Sequence, residues 1–373
     1  MKSSKPAKVP FIDLSRQQRS IQPQVDRALK KIFSSQKFIL GDYNRQLEEE
    51  IAKKTGAQYA LGVANGSDAL YLALLALGVG HGDEVITTPF SFFATAGAIT
   101  RTGARPVFAD IDAKTFNLDP QKIEAKITKK TRAILPVHLF GLPCAMDPIL
   151  ALAKRHSIPV AEDAAQSFGA SFKGRQAGSM ADIGCFSFYP TKNLGGAGDG
   201  GMVITSSSKL ADQLKLLRNH GMRDKYYHER TGINSRLDEI QAAVLLAKLK
   251  KIDEWNDSRS VLARRYEKGL RGLPLAIPSS PENAKHTYHL YSIKTDRRDA
   301  LQDFLGSWNI GSGIYYPVPL HLQPCYRDLG YKLGDMPVSE KSCKTILSLP
   351  MFPDLPGRSV DRVVSVVREF FSA

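Results

Sequence analysis

No run in the sequence approaches the roughly 20 consecutive apolar residues that a membrane-crossing helix needs, and no apolar stretch follows the polar start Met1-Lys2-Ser3-Ser4-Lys5. Neither membrane insertion nor secretion is signalled, so the cytoplasm is the expected compartment. Cysteine is scarce. Cys144, Cys185, Cys325 and Cys343 stand far apart, with no Cys-x-x-Cys pair and no histidines at zinc-finger spacing, which suits reduced structural thiols and speaks against a disulfide framework or a metal site. Internal repeats and low-complexity tracts are also missing. Two glycine patterns fail as nucleotide motifs. Gly196, Gly198 and Gly201 have the spacing of a dinucleotide fingerprint, but the strand-like run Met202-Val203-Ile204-Thr205 follows where a helix would have to receive the pyrophosphate. The segment Gly169-Ala170-Ser171-Phe172-Lys173-Gly174-Arg175 lacks the Lys-Ser/Thr ending of a Walker A loop and reads as a β-turn.

What is present is a globular chain of 373 residues, 43% hydrophobic and 24% charged, able to bury a large core and long enough for two domains. Its formal net charge of +14 invites a nucleic-acid reading. The basic residues are spread without a dense run, however, and no nucleic-acid motif accompanies them, so the positive field is expected to attract small anionic substrates. Residues 1–10 read as a loose tail. From Phe11 to Lys54 the pattern is helical, with Val25, Leu29, Ile32 and Phe33 on one face and a turn at Phe38-Ile39-Leu40-Gly41. Strands and helices then alternate to about residue 205, which predicts an α/β domain with a mainly parallel sheet covered on both faces. One long helical pattern runs from Asp238 to about Leu270. Beyond Pro274 and the loop Pro278-Ser279-Ser280-Pro281, shorter elements, including a strand over Tyr288 to Ile293, predict a smaller α+β domain. The expected division is 1–250 for the large domain with its N-terminal arm and 251–373 for the small one.

The stretch that carries chemistry is Phe186-Ser187-Phe188-Tyr189-Pro190-Thr191-Lys192-Asn193-Leu194, followed by Gly198-Asp199-Gly200-Gly201. A strand delivers one lysine to a bend where small residues permit close approach. Taken alone, Lys192 would be a solvated loop lysine. Its company changes that. Ile158-Pro159-Val160-Ala161-Glu162-Asp163 reads as a buried parallel strand ending in acids, at the sheet edge where open α/β folds bind ligands. In Ala64-Asn65-Gly66-Ser67-Asp68-Ala69-Leu70, small polar residues precede an apolar helix whose first amides could hold a phosphate. Lysine, acid and phosphate site together suggest pyridoxal phosphate.

These runs, with Glu162-Asp163-Ala164-Ala165-Gln166 and Gly232-Ile233-Asn234-Ser235-Arg236-Leu237-Asp238-Glu239-Ile240-Gln241-Ala242-Ala243, resemble the DegT/DnrJ/StrS aminotransferases in the expected order from about Phe11 to the C-terminus. The resemblance implies the fold-type-I architecture of pyridoxal-phosphate transferases, similar to aspartate aminotransferase. It implies that Lys192 forms the Schiff base with the cofactor and that Asp163 pairs with the protonated pyridine nitrogen, although an aspartate there could also cap a helix. It further implies that Gln166 bonds the ring hydroxyl, that Phe92 stacks on the ring, with Phe93 one slip away, and that Gly66, Ser67 and Ser187 hold the phosphate. Asn65 stands where many members carry serine. Asn234 matches the residue that reaches the phosphate of the neighbouring subunit, so a homodimer with shared sites is expected.

For the second substrate the resemblance implies a nucleotide-linked ketosugar, with L-glutamate as amino donor. Ile314-Tyr315-Tyr316-Pro317-Val318-Pro319-Leu320-His321 resembles the family's sugar-side stretch, with Tyr315 in place of the usual histidine. Arg218, His220, Arg236, Tyr316 and His321 are candidates for the sugar or its diphosphate. Asp199 and Tyr189 resemble members that aminate C3, where many C4 enzymes carry Glu and His. This favours a 3-keto substrate, either a dTDP-6-deoxyhexose or a UDP-linked uronic acid, with a C4 enzyme or a cyclitol aminotransferase as the alternative. A dehydratase on this fold would normally lack the Schiff-base lysine, and a regulator would need a DNA-binding module ahead of Phe11.

Overall fold

A computed structural model describes residues 7–278 and 281–372. The first six residues of the expected tail, and Ser279-Ser280 in the expected loop, lie outside the described residues. Seven strands run side by side in the order Tyr59–Val63, Gly201–Thr205, Ile183–Ser187, Ala161–Asp163, Thr131–Leu135, Glu84–Thr87 and Arg105–Phe108. Parallel bridges from Ile134 to Val160 and from Val137 to Asp163 join the two halves. Within this row only Gly201–Thr205 runs against its neighbours, as expected for a mainly parallel sheet.

Alternate residues of the strands enter different cores, which is why the middles of the strands are largely apolar. Cys185 and Val203 pack with Ala69, Leu72 and Leu214 from the helices Gly66–Ala76 and Ser208–Leu217. Their neighbours Phe186, Met202 and Ile204 pack with Leu47, Ile51 and Leu245 from Asp42–Thr55 and Glu239–Leu249. Ile86 and Ile134 likewise turn toward Ile149 and Leu152 of the helix Met146–His156, while Val85, Ala133 and Leu135 join the first core.

The long helical pattern from Asp238 is two helices, Glu239–Leu249 and Ile252–Leu270, separated at Lys250 and Lys251. The physical reason lies in their surroundings. Every residue from Ala242 to Lys248 is buried, so the first helix is enclosed on all sides. The second buries only a stripe, Ile252, Trp255, Asn256, Arg259, Leu262, Ala263, Tyr266 and Leu270. That stripe continues into a separate core with Leu301, Leu347, Val363 and Val367. The strand expected over Tyr288 to Ile293 begins at Tyr291, because Tyr288 has a left-handed φ of 45°. Phe33, expected on the packed face of the first helix, is more than half exposed.

The expected tail is not loose from residue 7 onward. Val9 is buried, pairs in parallel with Ile310, donates to the Asn309 carbonyl at 3.0 Å and accepts from Gly311 N–H at 2.9 Å. Glu239 acts as a remote cap for the helix Asp42–Thr55, whose own cap residue, Gly41, has no side chain to offer. The buried carboxylate accepts from the N–H groups of Gly41, Tyr43 and Asn44 and from Asn44 Nδ2, at 2.6–2.9 Å. Replacing Glu239 by Ala leaves these donors unpaired and is expected to destabilise the fold by about 2–4 kcal/mol. Urea unfolding measures this, and a loss below about 0.5 kcal/mol would mean that water substitutes for the carboxylate.

Candidate active site

The parallel strands converge on one edge, and the chemistry-bearing residues stand at their carboxyl ends. Ser187 closes Ile183–Ser187, Asp163 closes Ala161–Asp163, and the segments after Val63 and Thr87 lead to Gly66 and Phe92. Past Ser187 the chain bends at Pro190, with Lys192 N–H donating to the Tyr189 carbonyl at 2.8 Å. Gly195 is required beneath this bend, since a Cβ there would lie 2.3 Å from the Pro190 carbonyl oxygen. Asn193 pins the other side, donating to Asn256 Oδ1 at 2.7 Å and to the Thr287 carbonyl at 3.0 Å. Lys192 is partly shielded from water. Burial lowers the pKa of its amine to about 8, and the nearby Asp163 carboxylate opposes that shift.

Asp163 is buried, and burial pushes its carboxyl above the ordinary range; hydrogen bonds from Thr95 and Ala165, and then the Lys192 charge, work the other way. Oδ2 accepts from the Thr95 hydroxyl at 2.8 Å and Oδ1 from Ala165 N–H at 3.2 Å. Both partners are neutral. A shielded carboxylate held only by neutral donors is suited to receive a cationic N–H, such as a protonated pyridine nitrogen. Next to it, Glu162 supports the floor of the sheet edge. It accepts from the N–H groups of Gly178, Met180 and Ala181, and from His138 Nε2 at 2.7 Å. Because His138 Nδ1 accepts from Cys144 N–H at 3.0 Å, the ring proton sits on Nε2 and the imidazole is neutral.

Gly66 opens the helix Gly66–Ala76 against Ser187. A Cβ on Gly66 would fall 2.5 Å from Ser187 Cβ and 2.9 Å from its Oγ. A helix N-terminus and a hydroxyl thus meet, a pairing that fits a phosphate. The Asn65 side chain is engaged as the helix cap, accepting from Asp68 N–H at 2.8 Å. Gly66 and Ser67 supply first-turn amides, which lack acceptors within the helix.

Gln166 accepts from Phe140 N–H at 2.9 Å and donates to the Tyr316 hydroxyl at 3.0 Å, so Tyr316 stands beside the candidate cofactor residues. Phe92, 56% exposed, lies 6.3 Å from the Tyr316 ring, whereas Phe93 stacks on Tyr326 at 5.7 Å. The two rings therefore diverge, and Phe92 is the one on the Gln166 side.

The remaining candidates scatter. Arg218 is committed to its own protein, donating to Glu48 at 2.5 Å and to the Gly62 carbonyl at 2.8 Å. His321 is buried between Phe108 and Tyr331 and pairs with Glu340 at 3.1 Å. His220 is exposed, and its carbonyl accepts from His228 Nδ1. Asn234 and Arg236 line an open cleft of about 380 Å³ with Asn65, Asp199 and Asp238. Within that cleft Arg236 donates to Asn219 Oδ1 at 3.0 Å, and its buried Nε has no partner among the described residues. Thr95, Asn193 and Asn256 were not anticipated from sequence. Asn193 adjoins the lysine and could have been suspected, but nothing in sequence links it to Asn256, 63 positions away.

The profile of the DegT/DnrJ/EryC1/StrS aminotransferase family matches residues 19–368. A protein of Geobacillus stearothermophilus named pleiotropic regulatory protein is 48% identical, with 97% of this chain and 98% of that one covered. The UDP-N-acetyl-3-dehydro-α-D-glucosamine 3-aminotransferase of Acidithiobacillus ferrooxidans is 44% identical, with 96% and 97% covered. Among solved structures, Streptomyces venezuelae DesV in complex with a ketimine intermediate superposes with a TM-score of 0.97 at 42% identity, covering 99% of each chain. With sequence and fold in agreement over nearly the whole chain, the chain belongs to the DegT/DnrJ/EryC1/StrS aminotransferase family, whose members depend on pyridoxal phosphate.

Proposed function

We propose that this chain is a pyridoxal-phosphate-dependent aminotransferase that moves the amino group of L-glutamate to C3 of a nucleotide-linked ketosugar, leaving 2-oxoglutarate. The observation that carries the reading is a lysine amine depressed to about 8 beside a buried carboxylate that neutral donors hold in place. Bound here, the cofactor supplies an aldehyde for the amino group and a ring that accepts electrons from the substrate carbon. Asp163 would hold the pyridine nitrogen in its cationic form. The Gly66 and Ser67 amides and the Ser187 hydroxyl would hold the phosphate, and Gln166 and Phe92 would orient the ring. Lys192, once released, would carry a proton to and from the reacting carbon, which its lowered pKa permits near neutrality.

Asn234 supports a homodimeric reading. It matches the family residue that reaches the phosphate of a neighbouring subunit, and it is exposed at the rim of an open cleft, available to a second copy of the chain. Asp199 and Tyr189, and a C3 relative at 44% identity, favour C3 over C4 or a cyclitol. The regulatory name of another relative belongs to that protein, and the lysine and acid of this chain support the aminotransferase reading.

Three outcomes are expected. Since only the unprotonated amine captures an aldehyde, the rate at which apo-protein takes up pyridoxal phosphate rises about tenfold per pH unit and levels off above about 8. A flat profile from pH 6 to 9 would contradict the depressed amine. Lys192→Ala is expected to fold, to bind the cofactor reversibly, and to lose turnover by roughly 10³-fold or more. Finally, enzyme converted by glutamate to its pyridoxamine-phosphate form should return to the starting spectrum with a 3-keto nucleotide sugar and not with its 4-keto isomer. Reversal by the 4-keto isomer alone would move the reaction to C4.

A further inference from the structure

Four aromatic rings run in series from the N-terminal segment to Gln166. Phe11 stacks on Tyr315 at 5.9 Å and 17°. Tyr315 meets Tyr316 edge-on at 5.9 Å and 87°, and Tyr316 tilts against Phe92 at 6.3 Å while its hydroxyl accepts from Gln166. The chain makes space for the first two rings with glycine. A Cβ on Gly311 would stand 2.7 Å from Phe11 N, and one on Gly313 would stand 2.7 Å from Tyr315 Cε2 and 3.4 Å from Phe11 Cζ. The residues just ahead of Phe11 are fastened by the Val9–Ile310 pairing and by Arg362, which bonds the Ala7 carbonyl. Phe11 and Tyr315 nevertheless remain only half-buried, so the stack is held in place without being closed into the core.

The side chains in contact with the two tyrosines are Gln166, which bonds Tyr316, and the rings of Phe11, Phe90 and Phe92, all of them uncharged. The cation–ring contacts among the described residues lie elsewhere, as with Arg101 over Tyr71 and Arg297 over Phe370. A wall of this kind covers the hydrocarbon face of a sugar ring well and a carboxylate badly, because an anion stripped of water against rings gains no compensating charge.

We infer that this ring series faces the acceptor sugar and selects an uncharged 3-ketohexose over a uronic acid, with Phe11 as the positioning residue for Tyr315 and Tyr316. The inference rests on the aminotransferase reading above and narrows its substrate. Phe11 acts through Tyr315, so its removal should weaken what the sugar contributes to binding and spare what the nucleotide contributes.

The test is calorimetry on the holoenzyme with two 3-aminosugar nucleotides that share one nucleotide and differ only in a neutral group or a carboxylate at C5, beside the nucleotide diphosphate alone. Both the UDP and the dTDP series are titrated. Wild type should bind the neutral sugar nucleotide about tenfold tighter than the uronate. Phe11→Ala and the volume-keeping Phe11→Leu should weaken the neutral sugar nucleotide by about threefold to tenfold, the effect of one lost ring contact, with the nucleotide diphosphate shifted less than about twofold. Phe11→Tyr should restore the affinity. Equal or tighter binding of the uronate overturns the inference, and so does a parallel loss for sugar nucleotide and nucleotide diphosphate, which would mark Phe11 as merely structural. Melting temperatures identify any variant that fails to fold, and Phe11→Leu keeps the test decisive if Phe11→Ala does so. Release of 2-oxoglutarate from glutamate is measured on the same wild-type preparation. Its absence would sink the aminotransferase reading itself, independently of the calorimetry.

Discussion

An amine and a carboxyl group, both shielded from water at one end of a sheet, set the terms for what surrounds them. Shielding works against each charge separately, lowering the amine of Lys192 and raising the carboxyl of Asp163, while their mutual attraction resists both shifts. Neither group could be held there by packing alone. The strand end, the Thr95 hydroxyl and the Ala165 amide fix the carboxylate, and the Asn193 bonds to Asn256 and Thr287 fix the lysine bend. Groups fixed in this way agree with the proposed roles of receiving a cationic ring nitrogen and an aldehyde.

The sheet makes that arrangement possible because parallel strands end together. Asp163, Ser187 and the turn before Gly66 are far apart in sequence, yet adjacent strand ends bring them to one edge. Covering both faces with helices keeps the edge dry beneath. There the Glu162 carboxylate gathers three backbone amides and the neutral His138 ring into a fully bonded floor.

The second core contributes differently. Its helix Ile252–Leu270 supplies Asn256 to the lysine bend, and the segment that bridges to Ile310 brings Phe11 to Tyr315. The N-terminal residues, polar and proline-rich in sequence, thus pack against the C-terminal core through Val9. The break at Lys251 has the same origin, since one helix is enclosed by the sheet layer while the next turns a single stripe to the other core.

Local chemistry was readable in the sequence wherever one short run carries it. The lysine bend with its glycines, the acid at the end of an apolar strand and the small residues before an apolar helix each have a physical signature within about ten residues. The alternation of strands and helices was readable too, because burial on both faces leaves a periodic apolar record. Only the tertiary structure could separate Phe92 from Phe93, commit Arg218 to Glu48 and His321 to Glu340, and join Asn193 to Asn256 and Phe11 to Tyr315. Each of these depends on which distant side chain arrives opposite. Packing settles that through the whole core at once, and no stretch of sequence records it alone.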